Sequence, residues 1–157
     1  MKLTIIGDVH GNIHEYQKIT ENCEMSICVG DFGFKREWDW HRKNIDPSRH
    51  LINMGNHDYT PAMKWDMNCD NFWCNHIRNY MTIRGAWSID KARRIEGRDW
   101  FANEELTYQE GLMAFDAYVQ MKPKIVISHD CPDSIRQTFF KKKKKSNTSN
   151  LLQAMFE

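Results

Sequence analysis

The chain lacks a long hydrophobic run, an excess of charge of either sign and an N-terminal secretion signal. No apolar stretch approaches the ~20 residues that a membrane-spanning helix needs, so we expect no membrane association. The formal net charge is only +1, which excludes a global basic field for nucleic acid but leaves a local patch open. The apolar stretch that follows Met1 stops at Gly7, too soon for a signal peptide.

Cysteine is sparse and odd in number. Five cysteines without a secretion signal favour reduced thiols, and we therefore predict a cytoplasmic protein. The length of 157 residues is that of one domain, and we treat residues 1–157 as a single unit without solenoid repeats. Hydrophobic residues make up 41% of the chain, which suffices for a packed core and excludes a disordered protein.

Four short apolar runs each stop at polar residues of the kind that bind metals. These runs are Leu3–Ile6, Met25–Val29, His50–Met54 and Lys124–Ile127. Glycine follows the first three, and Ser128 follows the last. Short β-branched runs bounded by glycine and polar residues predict buried strands.

Helical patterns alternate with these strands. They cover Asn12–Glu21, Arg36–Asn44 and Thr107–Met121. Alternating strands and helices indicate βαβ units and a layered α/β fold. The segment Tyr80–Ile89 predicts one or two antiparallel strands.

The chain after the third helix contains a lysine-rich segment. Residues 140–150, with Lys141–Lys145 at their centre, predict an exposed loop. A last helix is expected to begin near Leu151, capped by Ser149 or Asn150.

The residues at the strand ends are the candidate functional groups. Open α/β folds place ligands at the carboxyl ends of strands, and the residues there are Asp8, His10, Asp31, Asn56, His57 and His129. Residues i and i+2 of an extended segment point the same way, so Asp8 and His10 can approach one ion together. A carboxylate such as that of Asp31 has two oxygens and could bridge two ions. Two ions about 3.5–4 Å apart can clamp a phosphoryl group and ionise a water molecule.

Simpler interpretations stand beside this one. Asp8, Asp31 and Asn56 could cap helices or close turns, and His57 could be structural only. Asp130 could be a further ligand, although a turn role is favoured.

Other features have functional alternatives of their own. His76 with Cys69 and Cys74 gives only three candidates for a zinc site, with no partner pair. Trp65 or Trp73 could stack on a base. The run Lys141–Lys145 could attract nucleic acid at low salt, although a solvated segment is favoured.

The order of these motifs resembles the calcineurin-like metallophosphoesterase superfamily. The resemblance rests on Gly7-Asp8-Val9-His10-Gly11, Gly30-Asp31, Gly55-Asn56-His57-Asp58 and Ser128-His129, and Gly85–Asp90 is similar to a further family segment. It implies an α-β-β-α layered sandwich that hydrolyses phosphate mono- or diesters. It also implies a dinuclear site with a bridging hydroxide, with manganese favoured and iron, zinc or magnesium as alternatives.

The resemblance also implies roles for individual residues. Asp8 and His10 would bind the first ion, and Asp31 would bridge. Asn56 and His129 would bind the second ion. His57 would contact the scissile phosphate and protonate the leaving oxygen, and Asp58 would orient His57 by a hydrogen bond.

Two departures from the family pattern qualify these expectations. The second block often reads Gly-Asp-x-x-Asp-Arg-Gly, whereas Gly30–Arg36 lacks that arginine, so Lys35 or Arg36 could replace it only by a different geometry. The closing Gly-His-x-His block has no match, since no histidine follows His129. We therefore expect a truncated member that lacks the last strands and exposes a strand edge. The alternative function is a module that binds metal and phosphate or nucleic acid without turnover. The pattern does not predict the natural substrate or the oligomeric state.

Overall fold

The structure is a computed structural model that describes residues 2–64, 71–140 and 146–157. Trp65, Cys69 and Lys141–Lys145 lie outside the described residues, so the expectations placed on them stay predictions. None of the helices in the described ranges is both long enough and apolar enough to cross a membrane.

The described residues form six strands, five α-helices and two short 3-10 turns. The strands are β1 Leu3–Ile6, β2 Met25–Cys28, β3 His50–Ile52, β4 Phe72–Asn75, β5 Tyr80–Ile83 and β6 Ile125–Ser128. The helices are α1 Ile13–Glu21, α2 Lys35–Asn44, α3 Tyr108–Met121, α4 Asp133–Phe140 and α5 Asn147–Phe156. The 3-10 turns are Thr60–Lys64 and Lys91–Arg93.

The strands form two three-stranded sheets. In the first sheet β1, β2 and β3 lie in that order and run parallel, because α1 and α2 serve as crossovers. In the second sheet β5 pairs antiparallel with β4 and parallel with β6. Parallel pairing brings the carboxyl ends of β1, β2 and β3 to one edge of the first sheet.

Successive side chains of the first sheet pack against different layers. Ile6, Cys28 and Ile52 pack with Tyr16 of α1 and Trp38 of α2. Side chains that point to the opposite face pack against the second sheet, where Ile27 and Leu51 share a cluster with Tyr80 and Ile127.

The other face of the second sheet carries a second helix layer. Met81 and Ile83 of β5 pack with Ala114 of α3 and with Leu151 and Leu152 of α5. The order of layers is therefore helix, sheet, sheet, helix, and the predicted α-β-β-α class is confirmed.

Some element boundaries differ from the prediction. The segment Tyr80–Ile89 is a strand only as far as Ile83, and its antiparallel partner β4 precedes it in the chain. Helix α4 was not predicted.

The loop predicted for residues 140–150 ends earlier than expected. Ser146, rather than Ser149 or Asn150, caps α5, because its side chain accepts a hydrogen bond from the Ser149 N–H. Thr148 and Ser149 are fully buried. Residues 146–150 are therefore the packed start of a helix and not part of an exposed loop.

Candidate metal centre

Loops that follow four strands form the candidate site. The loops after β1 and β2 are joined by backbone hydrogen bonds, from the His10 N–H to the Asp31 carbonyl (2.7 Å) and from the Gly11 N–H to the Phe32 carbonyl (2.9 Å). These bonds hold the side chains of Asp8, His10 and Asp31 near one another. The loops after β3 and β6 add Asn56 and His129.

Asp31 lies at the centre of the site. Its Oδ2 is 3.6 Å from Nε2 of His10 and 3.1 Å from Nδ1 of His57. Its Oδ1 is 3.3 Å from Nε2 of His129. The two oxygens of one buried carboxylate thus face different donors, which is the arrangement that a bridging ligand needs.

Asp8 completes the predicted set on the more exposed side of the site. Its Oδ2 is 3.8 Å from Nε2 of His10, and its Oδ1 is 3.9 Å from Nδ1 of His129. The structure therefore brings together all five residues that the sequence nominated as metal ligands, namely Asp8, His10, Asp31, Asn56 and His129.

The atoms around His129 converge in a way that suits a cation. Nδ1 of His129 lies 3.1 Å from the Val29 carbonyl oxygen, which can only accept a hydrogen bond, so Nδ1 carries the proton. In the neutral ring Nε2 then has a lone pair, and it lies 3.0 Å from Oδ1 of Asn56. The Asn56 amide is oriented by its Nδ2, which donates to Oγ of Ser88 (2.9 Å). With the ring neutral, Nε2 of His129, Oδ1 of Asn56 and Oδ1 of Asp31 can each offer a lone pair to the same cation, as metal ligands do.

A second group of donors contains His57. One ligand atom each from His10, Asp31 and His57 lies within 4.8 Å of the others. Two imidazoles and a carboxylate suit a divalent transition metal. The sequence assigned His57 to catalysis, and the geometry also allows it to act as a ligand.

The electrostatics of Asp31 and His57 are mutually consistent. Burial raises the pKa of the Asp31 carboxyl, but the hydrogen bond from His57 and the charge of His129 outweigh it, so the pKa lies below its ordinary value. The same hydrogen bond, which the Asp31 carboxylate accepts, raises the pKa of His57, against the opposing effect of burial. Asp31 is thus favoured in its ionised form and His57 in its protonated form.

The backbone at the site is unusual at two donor positions. His10 has a φ of 46° and Asp31 a φ of 52°, both in the left-handed region. Histidine and aspartate enter this region more often than most residues, and such conformations cost on the order of 1–3 kcal/mol and cluster at functional sites.

Two glycines make room for the donors. A Cβ atom on Gly30 would overlap the ring of His129, and one on Gly55 would overlap Oδ1 of Asp31. Side chains at these positions would therefore displace the predicted ligands.

Asp58 does not have its predicted contact. Its Oδ1 accepts a hydrogen bond from the Gly33 N–H (2.9 Å) and its Oδ2 accepts one from the Gly55 N–H (2.7 Å). The expected hydrogen bond to His57 is wrong, since the backbone uses both oxygens and Nδ1 of His57 faces Asp31. Burial raises the pKa of Asp58 to about 7, against the opposing effect of the two N–H groups. Asp58 thus connects the loop after β3 to the loop after β2.

The cations proposed as replacements for the missing arginine are engaged elsewhere. Nζ of Lys35 lies 2.6 Å from Asp39, and Nε of Arg36 lies 2.9 Å from Glu37. The side chain of Arg36 is 90% exposed. Neither cation contacts the donor atoms in the described part of the chain.

Residues of the segment 85–100 also border the site, and sequence reasoning missed their roles. Ser88 orients Asn56, and Oδ1 of Asp90 lies 3.8 Å from Nε2 of His57. Arg94 pairs with Asp90 at 2.8 Å. For this segment the sequence offered one signal, the family resemblance of Gly85–Asp90, and that resemblance assigned no role to any residue.

The alternative zinc site finds no support among the described residues. Within the ranges that the structure describes, neither Cys74 nor His76 belongs to a three-donor group. His76 is exposed.

Comparison with known proteins gives one match. The profile of the calcineurin-like phosphoesterase family matches residues 1–150. No curated protein and no solved structure matches the chain significantly. The matched range contains every donor described above.

Proposed function

The chain belongs to the calcineurin-like phosphoesterase family, and from this membership and the donor geometry we propose that it hydrolyses phosphate mono- or diesters with two divalent metal ions. The family itself establishes the coarser assignment, a metal-dependent hydrolase of the phosphoesterase type. The convergence of lone pairs from His129, Asn56 and Asp31 is the observation that carries the finer proposal.

The donors divide into two sets that share Asp31. Asp8, His10 and one Asp31 oxygen would hold the first ion, while Asn56, His129 and the other oxygen would hold the second. Three protein donors for each ion leave coordination positions open for water or substrate, as in catalytic zinc sites. Mixed oxygen and nitrogen donors fit manganese first, with iron, zinc or magnesium as alternatives.

The ions, when bound, supply Lewis acidity that ionises a water molecule and neutralises the phosphoryl oxygens. The chain's own contribution to the leaving group comes from His57. Its Nδ1 lies beside Asp31, and the raised pKa of the ring keeps it protonated to a higher pH than an ordinary histidine. As the bond between phosphorus and the leaving oxygen breaks, Nδ1 would give its proton to that oxygen.

The test is the variant Asp31→Asn, assayed on an aryl phosphate with manganese. Since one carboxylate oxygen becomes an amide, kcat should fall by more than the about 10- to 100-fold that changes around metal ligands cost. Asp39→Asn is the matched control, because Asp39 pairs with Lys35 on α2, away from the donor atoms. Full turnover by Asp31→Asn would contradict the bridging role.

The rival proposal is a module that binds metal and phosphate or nucleic acid without turnover. Elemental analysis of the purified protein, together with assays on an aryl monoester and an aryl diester, separates the two. Bound metal without turnover of either ester would favour the rival. Turnover of the diester alone would indicate a diesterase.

A further inference from the structure

The second ring nitrogen of His57 faces a carboxylate to which it is not yet bonded. Nε2 of His57 is buried and has no hydrogen-bond partner among the described residues. Oδ1 of Asp90 is in the same condition, and the two atoms lie 3.8 Å apart. A buried polar atom left without a partner costs about 1–3 kcal/mol, so a donor and an acceptor this close favour one another.

Asp90 is held in place from its other side. Its Oδ2 accepts a hydrogen bond from Nη2 of Arg94 at 2.8 Å. Nη1 of Arg94 donates to the backbone carbonyl of Asp99 at 3.0 Å. The guanidinium therefore fixes the carboxylate to the loop and leaves Oδ1 directed at His57.

The loop that carries this pair is itself anchored. Nζ of Lys91 lies 3.4 Å from the centre of the Trp87 ring, a cation–π contact. The Ser88 N–H donates to Oε1 of the buried Glu104 at 2.9 Å. Both contacts hold the chain on either side of Asp90.

We infer that Asp90, held by Arg94, is the positioning residue for His57. Its Oδ1 accepts a hydrogen bond from the Nε2–H of His57 and so leaves Nδ1 as the nitrogen that faces Asp31 and the reacting phosphoryl group. Closing the gap from 3.8 Å to a hydrogen bond of about 2.8 Å takes a movement of about 1 Å. Catalytic hydrogen bonds are often long before substrate binds and shorten in the complex. The inference rests on the proposed function, because it names the residue that orients its proton donor.

Kinetics of Asp90→Asn with an aryl phosphate test the inference. We expect kcat to fall by about 10- to 100-fold, while the bound metal is unchanged and KM stays within about twofold. Arg94→Gln should lower kcat in the same direction, because Asp90 is then no longer held. The kcat of the double variant should lie within about twofold of the kcat of Asp90→Asn, because the two residues act as a unit.

Two controls match these variants. Asp39→Asn removes the acid of another ion pair with the same spacing, that of Lys35 and Asp39. Arg98→Gln removes an arginine of the same loop whose partner is Asp99 and whose side chain is 69% exposed. Both controls should keep the kcat of the unchanged protein.

The nitrogen-15 shifts of the His57 ring in the metal-loaded protein give a second readout. The protonated ring carries a proton on each nitrogen, so that Nδ1 has the one it gives to the leaving oxygen. At a pH at which the ring is neutral, the unchanged protein should keep its remaining proton on Nε2, and Asp90→Asn should show a mixture of the two tautomers. This measurement still tests the inference if the unchanged protein turns over no ester, in which case the proposed function alone fails.

Three results would overturn the inference. They are an unchanged kcat in Asp90→Asn, unchanged ring shifts in that variant, and a fall in kcat that accompanies loss of metal. If Asp90→Asn does not fold, Arg94→Gln carries the same test with the same two readouts.

Discussion

Asp31 shows how much a single residue contributes to this site. It lies in the loop after β2 in a left-handed conformation with a φ of 52°, and its carboxylate faces His10, His57 and His129. Because it is an aspartate at a strand end, the sequence predicted it as a ligand shared by two metal ions. Nothing in its sequence neighbourhood predicted that His57 would also lie against it, because that contact depends on how the loop after β3 folds back.

The residues that sequence reasoning missed have a common cause. Asp90 and Arg94 lie outside the four strand ends that supply the donors. The loop from Trp87 to Trp100 brings them to His57, and Ser88 joins that loop to Asn56 and Glu104. Asp58 was assigned the wrong partner for a related reason. The family resemblance implied a hydrogen bond to His57, whereas the tight turn directs both oxygens to backbone N–H groups.

Gly55→Ala tests whether the donors need the space that glycine leaves. The added methyl would overlap Oδ1 of Asp31, so affinity for manganese should fall by about 10- to 100-fold. Isothermal titration measures it. Gly7→Ala is the control, because no heavy atom lies within 4 Å of the added Cβ. Equal manganese affinities of Gly55→Ala and Gly7→Ala would contradict the claim that the donors need the space at Gly55.

At the scale of elements, the strands and the first three helices follow the sequence closely, whereas the last helix does not. Short apolar runs predicted β1, β2, β3 and β6 to within two residues. In β2 and β3, where every residue is buried, burial on both faces of the sheet accounts for such a run. The start of α5 was misplaced. Ser146 caps this helix, and tertiary contacts hold its side chain there. Its Oγ lies 2.8 Å from Oδ2 of Asp130 and 2.5 Å from Oε1 of Glu105.

Ser146→Ala tests this anchor of α5. The variant loses the cap of the helix and a buried hydrogen bond, so the free energy of unfolding should fall by about 1–2 kcal/mol. Urea titration measures the loss, and amide exchange should quicken in α5 first. Ser134→Ala, at an exposed serine of α4, should change the stability little. A Ser146→Ala protein as stable as this control would mean that the cap contributes nothing.

For the whole molecule, four layers bring distant parts of the chain to one edge. The sequence predicted this class through alternating strands and helices together with its family resemblance. It did not predict β4, because an antiparallel edge strand is specified by its pairing with β5 rather than by a pattern of its own. Two strands at the ends of their sheets keep half-exposed isoleucines, Ile5 of β1 (52% exposed) and Ile125 of β6 (54% exposed).

Exposed edges of this kind predict self-association. We expect the purified chain to form concentration-dependent oligomers in sedimentation velocity. Ile125→Lys should weaken them by about tenfold or more, since burying an isoleucine is worth about 1.5–3 kcal/mol. Ile77→Lys is the control, because Ile77 is 97% exposed in the turn between β4 and β5. A monomer at all concentrations would contradict the expectation.

The most direct test of the metal centre is the number of manganese ions that each chain retains. Elemental analysis after gel filtration measures this number, and the aryl phosphate assay is run in parallel on the same protein. Two ions per chain with turnover are expected, and Asp31→Asn should lose both the second ion and the activity. A chain that retains no ion, or an Asp31→Asn variant that retains both ions and full activity, would contradict a centre shared through Asp31.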